Sequence, residues 1–165
     1  MLANLTNRAL RPTHARRAFS MIELVIVVVI IGIIGAIAIP RMSRGASGAA
    51  DSALVADLAV LRNAIDLYEA EHQGLYPTET GFESELTQYT DIAGDVSASK
   101  DTTHVYGPYL RAVPALKVGS NKGDNTVSGT SGGTEGWLYD EDTGDISANL
   151  AGTELDDRGV AYSSY

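Results

Sequence analysis

Glu23 is the residue whose position most demands a chemical explanation. It is the single charge in a 21-residue run, 19–39, that reads Phe-Ser-Met-Ile-Glu-Leu-Val-Ile-Val-Val-Val-Ile-Ile-Gly-Ile-Ile-Gly-Ala-Ile-Ala-Ile. A carboxylate in apolar surroundings is costly unless it is paired, protonated or at the interface. Two readings follow from position alone. Glu23 snorkels at a membrane boundary, or it takes a cationic partner from another chain. A second group of acids, Glu135, Asp140, Glu141, Asp142 and Asp145, places five carboxylates within eleven residues. Such oxygen-rich loops suit calcium, and Asp140, Asp142, Asp145, Asp156 and Asp157 are the candidate ligands. EF-hand spacing fails, because counting from Asp140 puts Gly144 at position five and Ala151 at position twelve. The plainer reading, that these acids form turns and a solvated face, is favoured.

Catalytic chemistry has little to draw on. His14, His72 and His104 stand far apart, and single histidines of this kind are expected at the surface. The chain has no cysteine, which excludes disulfides, thiol catalysis and thiolate metal sites. It carries no G-x-S-x-G, P-loop, H-E-x-x-H or dinucleotide fingerprint, so no enzyme is expected.

The elements that must position Glu23 are legible. As a helix, the run 19–39 rises about 31 Å at ~1.5 Å per residue, which matches a bilayer core. It is apolar all round, too long for a strand, and lacks a small-residue cleavage site at its end. Residues 1–18 hold four arginines and no acid, whereas the rest of the chain holds 8 basic and 21 acidic residues. That asymmetry places the N-terminus in the cytoplasm and sends the bulk across the membrane. An acidic body, net charge −9 over all 165 residues, also argues against nucleic acid as a partner.

These residues resemble a known family. Arg16-Arg17-Ala18 followed by Phe19-Ser20-Met21-Ile22-Glu23-Leu24-Val25 is similar to the class III signal of type IV pilins and pseudopilins. The resemblance implies that prepilin peptidase cuts between Ala18 and Phe19 and methylates the new amine. Ala18 stands where the family usually has Gly. The resemblance also implies a role for Glu23: pairing with the N-terminal amine of a neighbouring subunit in a filament. It further implies that the backbone between Gly32 and Pro40 can loosen. Gly32 with Ala36 is also a small-xxx-small pattern, although Gly is simply common in membrane helices.

Beyond the run, Leu54, Leu58, Leu61, Ile65 and Tyr68 recur at steps of 4, 3, 4 and 3, one stripe along a helix that docks a small sheet. Asp51, Asp57, Arg62, Asp66 and Glu69 lie off it, facing solvent or partners. Gly45 and Gly48 suggest a flexible joint near 40–48, and Gly74 with Pro77 predicts the helix stop, with Gly74 at C′. Further on, Phe82, Leu86 and Tyr89 predict a short helix, and 119–136 a long glycine-rich loop. Residues 137–150 predict a hairpin with its turn at 140–144.

The expected organisation is therefore a cleaved leader (1–18), a hydrophobic membrane and assembly helix (19–40), an amphipathic helix (41–74) and a β-rich domain (75–165). The fold class is α+β, a long N-terminal helix packed on a small antiparallel sheet, as in pilins. Gly107-Pro108-Tyr109-Leu110 and Gly136-Trp137 through Thr143-Gly144 also resemble the sheet end of type II secretion major pseudopilins. Those proteins commonly bind calcium in a C-terminal loop, but their ligand pattern does not map onto this chain. The resemblance implies a filament subunit of the bacterial inner membrane with a periplasmic domain. Its partners would be copies of itself, other pseudopilins, prepilin peptidase, the assembly platform and lipid. A type IV pilin for adhesion or motility, or a monomeric single-span binding domain, are the alternatives.

Overall fold

A computed structural model describes residues 19–165, and of 39–44 the backbone alone. The leader 1–18, Ala18 included, lies outside the described residues, as does the Pro40 side chain. Helix α1 runs over Met21–Glu71, and its backbone is helical at Gly32, Pro40, Gly45 and Gly48 alike. The chain divides into two compact units, Met1–Arg41 and Met42–Tyr165.

In the first unit the described helix is apolar on every side and buried on none. Its segment Met21–Ala38 has a mean hydropathy of 3.0 and is long enough to cross a bilayer.

In the second unit, residues 42–71 of α1 are followed by α2 (Phe82–Thr87), β1 (Tyr89–Thr90), β2 (Val96–Ser97), β3 (Val127–Ser128), β4 (Trp137–Tyr139) and β5 (Ile146–Ala148). A 3₁₀ turn at Tyr162–Ser164 ends the chain. The predicted stripe is the core: Leu54, Leu58, Leu61, Ile65 and Tyr68 are all at most 2% exposed. They cluster with Phe82 and Leu86 from α2, Leu116, and Trp137, Tyr139 and Ile146 from the sheet. The two largest buried rings also satisfy their polar ends: Trp137 Nε1 donates to Pro114 O at 2.8 Å and the Tyr139 hydroxyl to Pro77 O at 2.8 Å.

Helix α1 stops one residue earlier in its capping pattern than the sequence predicts. The Gly74 N–H bonds back to Glu69 O at 2.9 Å, the six-to-one closure of a Schellman motif, which makes Gln73 the C′ residue. Gln73 takes φ 60° and Gly74 follows at φ 84°. Glycine is thus needed at C″ as well, and a glutamine adopts the left-handed position.

The sheet is mixed, which corrects the expected all-antiparallel arrangement. Strand order is β3-β4-β5; β4 and β5 form the predicted hairpin, pairing Leu138 with Ser147, but β3 lies parallel to β4. The glycine-rich segment therefore holds a strand. Parallel pairs usually need a crossover of roughly a dozen residues or more. Here residues 129–136 suffice, because each strand is short and four of the eight linking residues are Gly. Gly136 admits no side chain, since a Cβ there would lie 2.3 Å from Asp124 O. A separate antiparallel pair joins β1 to β2.

Truncating the stripe tests this core. Leu61→Ala should destabilise the second unit by about 2–5 kcal/mol, whereas Val60→Ala, at a position 51% exposed, should cost under ~1 kcal/mol. Urea unfolding of a soluble fragment from residue 45 onward measures both.

Candidate functional site

Glu23 lies at the third position of α1. Leu24 N–H bonds to Ser20 O at 3.1 Å, so Ser20 is the residue from which the helix starts. The Glu23 carboxylate reaches back to accept the Ser20 N–H at 3.3 Å. This is the acid half of a capping box, and Ser20-x-x-Glu23 is its sequence signature, a local role that the charge argument overlooked. The carboxylate thereby points at the first turn, next to Phe19. Phe19 is 80% exposed, and Met21, Ile22 and Leu24 are each at least 60% exposed. A greasy helical end with an acid folded back on its own start is thus presented outward.

The candidate calcium ligands do not form a site. Among the described residues, no three His, Asp or Glu side chains come together in a way that could hold a metal ion. Asp140, Asp142 and Asp145 instead build the β4–β5 turn: Gly144 N–H bonds to Asp140 O at 2.8 Å, Asp140 N–H to Asp145 O at 3.0 Å, and Asp140 Oδ1 takes the Asp142 N–H at 2.9 Å. Asp156 is saturated. Its Oδ1 accepts the N–H groups of Arg158 and Val160, each at 2.8 Å, and its Oδ2 accepts Arg158 Nε at 2.8 Å and the Tyr165 hydroxyl. Four donors fill both lone-pair pairs and leave nothing for a cation. Asp157 is exposed and contributes its N–H to Asp51 at 3.4 Å. Asp140 and Asp156 thus make the turn and loop hydrogen bonds that the plainer reading expects of them.

The structure gives them another role. Asp156 folds the last ten residues into a clasp, and the Tyr165 hydroxyl, with the Arg158 and Val160 contacts, holds its carboxyl well below the usual carboxylate range. The clasp is fastened to α1 twice. Asp51 accepts the Tyr162 hydroxyl at 2.7 Å, and burial together with that carboxylate pushes the Tyr162 phenol up to about 12. Arg62 Nη2 donates to Ile146 O at 3.0 Å and to Tyr165 O at 2.6 Å. Asp51 and Arg62, expected to face solvent or partners, are therefore ties within the chain.

His72 also departs from expectation. It is fully buried, not at the surface, stacked on Tyr68 with ring centroids 3.7 Å apart. Its Nδ1 contacts Tyr68 O at 2.8 Å and its Nε2 the Thr90 hydroxyl at 2.9 Å. The sequence signal was there: His72 follows Tyr68 by four, the next step of the buried stripe. His104 sits in an exposed loop beside Asp101, Nδ1 to Oδ2 2.8 Å.

Residues 13–39 match the family described as the prokaryotic N-terminal methylation motif. The chain thus carries the class III signal of type IV pilin-like proteins, and its long N-terminal helix with a small mixed sheet is consistent with a pilin-like fold. No curated protein and no solved structure matches the chain.

Two measurements check the acid residues. Calcium should leave the melting temperature of the soluble fragment unchanged, since no three acids gather to hold a metal ion among the described residues and Asp156 is filled by protein donors. Because the Asp156 carboxyl titrates lower folded than unfolded, its contribution is complete above pH ~4 and is lost as pH falls through the native value. Asp156→Asn should therefore melt lower at pH 7 and lose less than the wild type between pH 5 and pH 2.

Proposed function

We propose that the chain is a structural subunit of a pilus-like filament, the major pseudopilin of a type II secretion system, assembled from the bacterial inner membrane. The observation that carries this reading is a single juxtaposition: a methylation motif in which Glu23 lies five residues into the mature chain, at the head of an exposed apolar helix. The first half of that statement supports a pilin-like subunit in general. The secretion role rests on the resemblance of residues 107–110 and 136–144 to major pseudopilins. The lack of cysteine also supports it, since pilins often staple their C-terminal loop with a disulfide.

The mechanism is assembly, not catalysis. Prepilin peptidase removes residues 1–18 on the cytoplasmic side and methylates the Phe19 amine. The subunit waits in the membrane, with its second unit in the periplasm, held by the segment Met21–Ala38. Burying that apolar surface against other subunits gains roughly 25 cal/mol per Å², which lipid already supplies in large part. Packing alone therefore sets register poorly. Glu23 sets it by pairing with the Phe19 amine of a neighbour, since a mismatched subunit would bury two unpaired charges. Gly32 and Pro40 allow the helix to loosen during extraction.

Mass spectrometry of the native protein should find a chain beginning at Phe19 with one added methyl. An intact Met1 terminus would sink the reading. Glu23→Ala should leave membrane levels intact and reduce sheared filaments at least tenfold, since breaking one partner of a buried pair costs ~3–5 kcal/mol. Glu23→Gln separates the two roles of this residue: an amide keeps the capping bond to Ser20 but cannot neutralise a cation. Loss of filaments in both variants supports pairing; full assembly of Glu23→Gln assigns Glu23 to helix capping.

A further inference from the structure

We propose that the outer face of the β4–β5 hairpin is a docking surface for the Lys117–Lys122 loop of a second copy of this chain, in a head-to-tail contact between second units. This inference rests on the filament reading and names a surface that would serve it. Leu138 and its cross-strand partner Ser147 point away from the core and floor a cleft of about 570 Å³. Glu79, Asp140, Glu141 and Asp145 rim it. Three of these carboxylates are held in place without a cation: Glu141 Oε2 accepts the Glu79 N–H at 2.7 Å, Asp140 is fixed by the hairpin turn, and Asp145 takes the Thr143 hydroxyl at 3.3 Å. The one cation in the cleft, Arg62, has Nη2 committed to Ile146 O and Tyr165 O. Among the described residues, only Asp101, beside His104, and Asp156, beside Arg158, have a basic partner within 4.0 Å.

The complementary charge is on the same chain. Lys117 and Lys122 are exposed, form no ion pair, and line one hollow of about 330 Å³ that shares no residue with the acidic cleft. Asp51 also lines it, but its carboxylate is taken by Tyr162 and the Asp157 N–H. The loop bearing the lysines is stiff. Leu116 and Gly123–Asp124 close it with main-chain bonds of 2.8 Å, the Asn121 side chain anchors it at Glu135 O and Asn149 O, and Glu154 holds Ser120 at 2.7 and 2.9 Å. The loop backbone and the acidic rim are in place before contact, so the ordering cost falls mainly on the two lysine side chains. Copies of a chain with net charge −9 repel in general, and a local complementary patch selects one orientation of approach. Because the two surfaces are separate, the contact is heterologous and propagates rather than stopping at a dimer.

Natural absence of cysteine makes the test direct. In the bacterium that carries it, the full chain bearing Lys122→Cys and Glu141→Cys together is treated with a short bis-maleimide, beside each single-cysteine chain. The contact predicts a ladder of dimers, trimers and higher species from the double variant and monomers from the singles. Independently, Lys117→Glu with Lys122→Glu, and Glu141→Lys with Asp145→Lys, should each cut sheared-filament yield at least tenfold at equal membrane level. Combining all four should restore yield to within about threefold, while Lys100→Glu with Arg111→Glu, the same change in net charge, should leave it unaltered. Recovery in the combined variant also shows that the reversals did not unfold the chain. Filaments without a ladder, or single reversals that assemble normally, overturn the docking proposal and leave the filament reading standing. A ladder without filaments keeps the contact and overturns the filament; neither ladder nor filaments overturns both.

Discussion

Burial of one stripe of α1 is the interaction on which the second unit depends. Leu54, Leu58, Leu61, Ile65 and Tyr68 are nearly devoid of solvent contact, and α2, β3, β4, β5 and the final 3₁₀ turn supply walls to the core they form. The strands are two or three residues long, so their few ladder bonds would not hold a sheet in water. Trp137, Tyr139 and Ile146 face inward because a helix is there to receive them. Trp137 and Tyr139 then donate to Pro114 O and Pro77 O, which ties two otherwise irregular connections to the same core. Sheet and loops are thus organised by the helix rather than by their own pairing.

The remaining connections are held by side-chain polar groups, in a chain with no disulfide to hold them. Asn121, Asp124 and Asp156 each gather several main-chain partners. Asp124 takes the N–H groups of Thr126 and Gly136, at 2.8 and 3.0 Å, and the Thr126 hydroxyl, which holds its carboxyl below its usual range. A carboxylate satisfied by two or three donors fixes a loop at one point, as a cross-link does, but its hold is titratable. Acid should therefore loosen these loops before it reaches the apolar core.

The main features were legible because they repeat. A 21-residue apolar run, a stripe at steps of 3 and 4, and alternation across 137–150 each declare themselves over many residues, and the helix, the core and the hairpin follow. Single-residue chemistry was read less well. The parallel β3 carries only two residues, too few for a period, and is set by the tight glycine crossover. Asp156 looked like a metal ligand because composition counts carboxylates and not donors; its partners Arg158, Val160 and Tyr165 are local but unpatterned. His72 departs from expectation for the opposite reason: an isolated histidine suits the surface, but this one occupies the next slot of the buried stripe. Glu23 was read as a charge problem, while the Ser20-x-x-Glu23 spacing also marked a helix start.

The position of Glu23 at the helix start bears on how an apolar helix carrying a carboxylate enters lipid. A free carboxylate at the head of an apolar helix resists entry into lipid. Accepting the Ser20 N–H satisfies part of its hydrogen-bonding need within its own chain, and the helix N-terminus favours negative charge there. The lone subunit thus has a donor for this carboxylate within its own first turn. On the proposed filament reading, the same geometry holds the carboxylate at the end of the helix where cleavage before Phe19 would expose an amine, with one oxygen open to a second donor. Capping, which the structure shows, and pairing, which the proposed function requires, would then be sequential uses of one side chain. The first keeps the carboxylate placed before a neighbour arrives; the second makes that arrival selective for the register that brings an amine to it.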